Sequence, residues 1–311
     1  MNPPLKYIDF LTDYGFKHLF GNKTLLIAFL NALFEKEGKV INNVSYLNKE
    51  LAPEIKDERL IIYDILCKVN DGEDFILEMQ HKPQDTFRER ALYYMSRAVV
   101  EQGVKGKKWM YRMKPVYGLF ITNFHLKDVD MGNEPLTEVV LENRKTHETF
   151  TEKYRMFFLD LLAFNKKEDE LNTDLERWIY SIKNMGQMTT QPRMKTQSPV
   201  FNLLYSEAEL AAMTRRQRNN YENSLRLYRD TLADIATQRN ARRRAMAAGR
   251  KEGLAEGREA GLAEGREAGL AEGRAQLYKE IIIAQLANGK SPSELAALLG
   301  IDINDVTKYI N

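Results

Sequence analysis

Residues 60–81 read LIIYDILCKVNDGEDFILEMQH, and this stretch decides the fold. Residues 60–69 are β-branched and aromatic, and too short for a typical helix, so they predict a strand. Asn70-Asp71-Gly72-Glu73 carries the turn chemistry of a hairpin. DFILEMQH (74–81) then predicts the second strand. Asp64 interrupts the first apolar run and Glu78 the second. A buried carboxylate without a partner is costly, so each asks for a counter-charge, a metal or a reaction. Gln80 lies two residues beyond Glu78 and shares its sheet face, which Lys82 continues if the strand reaches it.

Register tests whether the two carboxylates meet. A two-residue turn at Asp71-Gly72 sets Asn70 opposite Glu73 and Asp64 opposite Met79, which leaves Asp64 and Glu78 on different faces. For them to share a face, the loop must hold three or five residues, or the ladder a bulge. One of these is expected. Two carboxylates converging from adjacent strands make an oxygen-rich site suited to Mg²⁺. An ion held there activates a water and stabilises charge on a phosphate. The alternative is that these carboxylates lie on a solvated face, or pair with Arg90 or Arg97.

Outward from the hairpin, helix and strand periods alternate. Phe16, Leu19, Phe20, Leu26, Phe29, Leu30 and Leu33 recur at helical spacing, with a break near Gly21-Asn22. Residues 85–103 read as a helix. PVYGLFITNF (115–124) predicts a buried strand, LTEVVLE (136–142) a half-exposed one and KYRMFFLDLLAF (153–164) another. Helical periodicity returns over 168–186. A helix crossing between strands points to an α/β fold, a mixed sheet with helices on its faces.

The expected organisation is a core over 1–186, a linker over 187–205, a basic helix with a glycine repeat over 206–275, and a small helical, helix-turn-helix-like tail over 276–311. The net charge of +2 conceals this layout. Residues 191–250 carry 12 basic and 5 acidic side chains, a local +7, which attracts nucleic acid or simply solvates a helix. Seven glycines recur at every fourth residue from Gly249 to Gly273. On a helix they form one slowly drifting stripe, open to close approach by a second copy. The alternative is a weak, low-complexity linker. Residues 249–311 are therefore a candidate homo-oligomer contact. In the tail, Ser291-Pro292 marks a helix start and Gly300 its stop.

Composition excludes several classes. Cys67 is the only cysteine, so there is no disulfide framework and no Cys-based zinc site. The four histidines show no ligand spacing. No 18-residue apolar run exists, and the first ten residues are too polar for a secretory signal. A cytoplasmic protein with no membrane partner is expected.

The sequence resembles the Rpn family of recombination-promoting nucleases and putative transposases, of PD-(D/E)xK type. Four blocks carry the resemblance in order: FLTDYGFKHLFG with LLIAFLNALF, YDILCKVNDGEDFILEMQ, FRERALYYMSRAVVEQGVKG, and KPVYGLFITNF. The resemblance implies a restriction-endonuclease-like αβββαβ core and a metal-dependent DNA endonuclease, linked to recombination, transposition or defence. It implies that Asp64 and Glu78 bind Mg²⁺, or another divalent cation such as Mn²⁺ or Ca²⁺. Gln80 then stands where wider PD-(D/E)xK enzymes have lysine. Glutamine carries no charge, which leaves Lys82, Lys68 or Lys56 to supply it. Asp13 and Lys17 match the opening motif and approach the site, unless Asp13 instead caps the first helix. Lys17, Lys82, Arg88, Arg90 and Arg97 are candidate DNA contacts, and Tyr93 a possible accessory group. Tyr94 reads as a core residue and Arg90 as the partner of a phosphate or carboxylate. The competing reading is a non-catalytic DNA-binding or self-assembling protein that acts through its C-terminal helices.

Overall fold

The computed structural model describes residues 4–47, 50–51, 61–70, 72–103, 110–126, 131–132 and 134–309. It opens with α1 (Asp13–Leu19) and α2 (Lys23–Leu33). The expected break falls between them, where the Asn22 side chain accepts the Thr24 N–H and caps α2. Thr12, not Asp13, caps α1, its Oγ1 accepting the Gly15 N–H at 3.0 Å. Asp13 sits in the first turn and pairs with Lys17 one turn on.

The strands follow as β1 (Val44–Tyr46), β2 (Glu50–Leu51), β3 (Ile61–Ile62), β4 (Ile65–Val69) and β5 (Glu73–Gln80). Helix α3 (Phe87–Glu101) crosses to β6 (Val116–Thr122), and β7 (Leu136–Val140) and β8 (Tyr154–Asp160) complete the set. Six of them form one sheet in the order β1-β4-β5-β6-β8-β7. The β5, β6 and β8 strands run parallel and the other pairings are antiparallel. This is the mixed α/β sheet that the alternating periods imply.

One correction concerns residues 60–69. They are not one strand: β3 pairs with β2 in a separate ribbon, and the main ladder restarts at Ile65. The break at Tyr63-Asp64 has a physical cause. There the Asp64 N–H goes to the Glu78 side chain and the Asp64 carboxylate accepts the Met79 N–H, both at 2.9 Å, so side-chain bonds stand where the ladder stops.

Period-two alternation sends the strand side chains to two cores. Phe75, Leu77, Leu119 and Ile121 face a cluster that includes Phe16 of α1 and Phe29 of α2. Ile76, Phe120 and Phe158 face Phe87, Ala91 and Met95 of α3. Gly118 permits that second contact. A Cβ there would lie 2.6 Å from the Met95 sulfur and 2.8 Å from the Phe120 ring.

Helix α4 (Asp174–Asn184) begins with a capping box between Thr173 and Glu176. Residues 187–205 were expected to be a linker, and here the structure differs. They contain α5 (Met194–Gln197) and much of α6 (Pro199–Glu207). Met194, Phe201, Leu204 and Tyr205 are buried in the same cluster as Phe16. Pro199 opens α6, as proline does at a first helical turn, rather than breaking structure.

The chain divides into two compact units, Met1–Ala236 and Thr237–Asn311. The 73-residue helix α7 (Arg215–Ala287) contributes to both. In the second unit, Ile282 of α7 packs with Leu295 of α8 (Pro292–Leu299) and Val306 of α9 (Ile303–Lys308). Ser291 caps α8, and Gly300 ends it with φ +64°. No helix among the described residues is long and apolar enough to cross a membrane.

Candidate active site

The β4–β5 loop holds three residues, 70–72, because Val69 pairs with Glu73. Gly72, at φ +94°, takes the left-handed conformation that closes it. The register runs on through Ile65 opposite Leu77, which brings Asp64 across from Glu78. The two carboxylates then interlock. Glu78 Oε1 accepts the Asp64 N–H at 2.9 Å, and Asp64 Oδ2 accepts the Met79 N–H at 2.9 Å.

Glu78 is buried, at 4 % exposure, whereas the Asp64 side chain keeps 26 %. Burial first, and then the charge of Asp64, push Glu78 up to about 8. Burial also raises Asp64 above the ordinary carboxylate range. Cations stand near but do not close on the pair. Arg90 Nη2 lies 3.4 Å from Glu78 Oε2, and Lys17 Nζ lies 3.9 Å from Asp64 Oδ1. Arg90 also stacks on Tyr94, 5.0 Å from the ring centroid. Tyr94 in turn packs edge-on against buried Tyr63.

Gln80 donates from Nε2 to the Lys82 carbonyl at 3.1 Å, and its Oε1 lies 3.5 Å from Arg90 Nη1. Lys82 is exposed and meets Gln80 through its backbone. Lys68 pairs with Asp74 at 2.7 Å, four residues along the ladder from the Asp64 and Glu78 pair, so its charge is spent there. Lys56 lies outside the described residues. Of the lysines considered, Lys17 is the one with a contact to the carboxylate pair. Arg97 pairs with Glu101 at 2.8 Å, and Arg88 lines a separate small hollow beside Phe87 and Phe124. Tyr93 is exposed at 42 %.

Beside Asp64 opens a cleft of about 740 Å³ between α1 and the first part of α7. Two hydrogen bonds hold α7 there. Tyr221 Oη accepts the Asp9 N–H at 2.9 Å, and Ser224 Oγ accepts the Tyr14 N–H at 3.0 Å. Sequence reasoning read this stretch as a solvated or DNA-attracting basic helix and missed that it walls the site. The signal was present: Tyr221, Leu225 and Tyr228 recur four and three residues apart, an inward stripe on a helix otherwise rich in arginine. His81 was also missed. Its ring lies 4.8 Å from that of Tyr228, burial pushes it down to about 4, and its Nδ1 is buried without a hydrogen bond.

A PD-(D/E)XK nuclease family transposase model matches residues 10–238, most of the chain. The chain belongs to this family. No curated protein and no solved structure matches it. The family match ends within two residues of the first unit's boundary at Ala236, so it spans the sheet, α6 and the cleft-lining part of α7 together.

PD-(D/E)XK nucleases generally use divalent metal ions. The residues fit one. Two oxygen-donor side chains lie together, burial raising the proton affinity of both and the Asp64 charge raising that of Glu78 further, with Arg90 hydrogen-bonded to Glu78 and Lys17 3.9 Å from Asp64. Among the described residues no cluster of three or more His, Cys, Asp or Glu forms. Mg²⁺ needs none, since one or two carboxylates with waters and phosphate oxygens satisfy it.

Proposed function

We propose that this PD-(D/E)XK chain is a metal-dependent DNA endonuclease that hydrolyses phosphodiester bonds. The observation that carries this reading is the three-residue loop, which sets Asp64 and Glu78 opposite each other and interlocked. Asp64 and Glu78 would hold the divalent ion, Mg²⁺ or a similar hard cation. A bound ion of this kind lowers the pKa of a coordinated water and takes up charge from a phosphate oxygen.

This chain's own groups supply the rest. Lys17, beside Asp64 and on the cleft wall, draws the scissile phosphate in. Arg90 steadies Glu78 and, through Gln80 Oε1, holds the glutamine at the same edge. Gln80 orients the attacking water by hydrogen bonding rather than by charge. The arginines of α7, from Arg215 to Arg229, raise the local concentration of DNA beside the cleft.

The test is nicking of supercoiled plasmid. Wild type nicks with Mg²⁺ and not with a chelator, and Asp64→Ala loses at least about a hundredfold of that rate. Undiminished nicking by Asp64→Ala refutes the assigned site. No nicking by wild type favours a DNA-binding or self-assembling protein that acts through α7 to α9.

A further inference from the structure

The cleft beside Asp64 is built unlike a groove that tracks a phosphate backbone. Among the described residues lining it, Lys17 is the one lysine or arginine. It is shared between the carboxylates of Asp13 and Asp64, and the rest of the wall is aromatic, apolar, hydroxyl or amide. Tyr14 and His18 stack face to face, with centroids 5.3 Å apart and planes 13° from parallel. Opposite them, α7 presents Asn220, Asn223 and Tyr228, with the two asparagines exposed. One cation shared by two carboxylates does not suit a run of phosphates. Rings flanked by side-chain amides suit a neutral planar group with hydrogen-bonding edges. A nucleobase has this character.

We propose that this cleft receives one unpaired DNA base next to the scissile phosphate, so that the enzyme acts on single-stranded or locally opened DNA. The inference rests on the endonuclease reading and gives it a substrate class. A base inside a duplex is stacked on both faces and paired along one edge. It reaches a ring-lined cleft only after leaving the stack, which costs free energy for a matched pair and least for an unpaired base. The ordering of affinities follows: a single strand and a mismatched duplex bind better than a matched duplex of the same sequence. On the far wall, Asn223 projects from a helix without contacting Asp64 or Glu78, so a bulky side chain there fills the cleft and spares the carboxylates.

The test is fluorescence anisotropy with the full chain in chelator, which stops cleavage. One labelled strand is offered alone, in a matched duplex, and in a duplex with a single mismatch. Wild type binds the first and third at least about tenfold more tightly than the second. In Asn223→Trp the three affinities converge. Circular dichroism checks folding, and Leu227→Trp on the same wall replaces Asn223→Trp if that variant misfolds. Equal affinity of wild type for all three forms overturns the proposal, as does a preference that survives the tryptophan. The nuclease reading fails separately, through plasmid nicking that ignores Asp64.

Discussion

At the residue scale, the site is a pair of acids held against their preference. Glu78 has little water and a second carboxylate beside it, and so keeps its proton to about 8. The sign of the resulting pH dependence is fixed. A carboxyl whose folded pKa exceeds its unfolded value of 4.5 contributes fully below that value, and the contribution is lost as pH rises to about 8. Metal-free wild type therefore loses stability across this window relative to Glu78→Gln, which has no charge to bury. The gap between the two opens by at least about 1.4 kcal/mol, the equivalent of one pKa unit. Urea unfolding in chelator at pH 4.5 and pH 8.5 measures it, and a gap that does not change with pH contradicts the burial argument. His81 acts in the opposite sense. It is neutral and held down to about 4, so its contribution is present above its ordinary value of 6.5 and is lost as pH falls through 4. Comparing the variant with wild type cancels that slope. The carboxylates were legible in the sequence because each breaks an apolar run. His81 and the α7 wall were not, because their role depends on a contact far along the chain.

At the scale of elements, the β4–β5 hairpin was legible down to its loop. Only a loop that puts Asp64 on the Glu78 face makes sense of two costly acids, and the three-residue loop does so. Residues 187–205 were illegible for the opposite reason. Phe201, Leu204 and Tyr205 do recur at helical spacing, but within a nine-residue helix that follows a polar stretch holding Pro192 and Pro199, too short a period to outweigh those breakers. Only tertiary burial makes α5 and α6 part of the core, overriding weak local signals. The glycine ladder is settled as helix within α7, and a Cβ built on any glycine from Gly249 to Gly273 meets nothing within 4 Å. Gly257→Ala and Gly265→Ala are thus each expected to stabilise the helix by about 1 kcal/mol, raising its melting temperature in far-ultraviolet circular dichroism. A lowered melting temperature would mean that a second copy of the chain already packs against the stripe.

For the whole molecule, the division that matters is not the one that charge suggested. The +7 segment looked like an appendage to a finished core, yet its middle part walls the candidate site's cleft, held there by Tyr221 and Ser224 and lined by Ser224 and Tyr228. The first unit accordingly runs to Ala236, and the family match to residue 238. The α/β class and the order of elements along the chain were readable because periodicity is local. The reach of the nuclease unit into α7 was not, because it is set by hydrogen bonds spanning more than two hundred residues. One divalent ion shared by Asp64 and Glu78 is the central proposal. Titration calorimetry with Mn²⁺ at pH 7, in two buffers of different ionisation enthalpy, tests that most directly. One ion binds wild type, and protons are released because Glu78 gives up the proton it keeps to about 8. Binding disappears in both Asp64→Asn and Glu78→Gln. An unchanged affinity in either variant, or binding to wild type with no proton release, would contradict it.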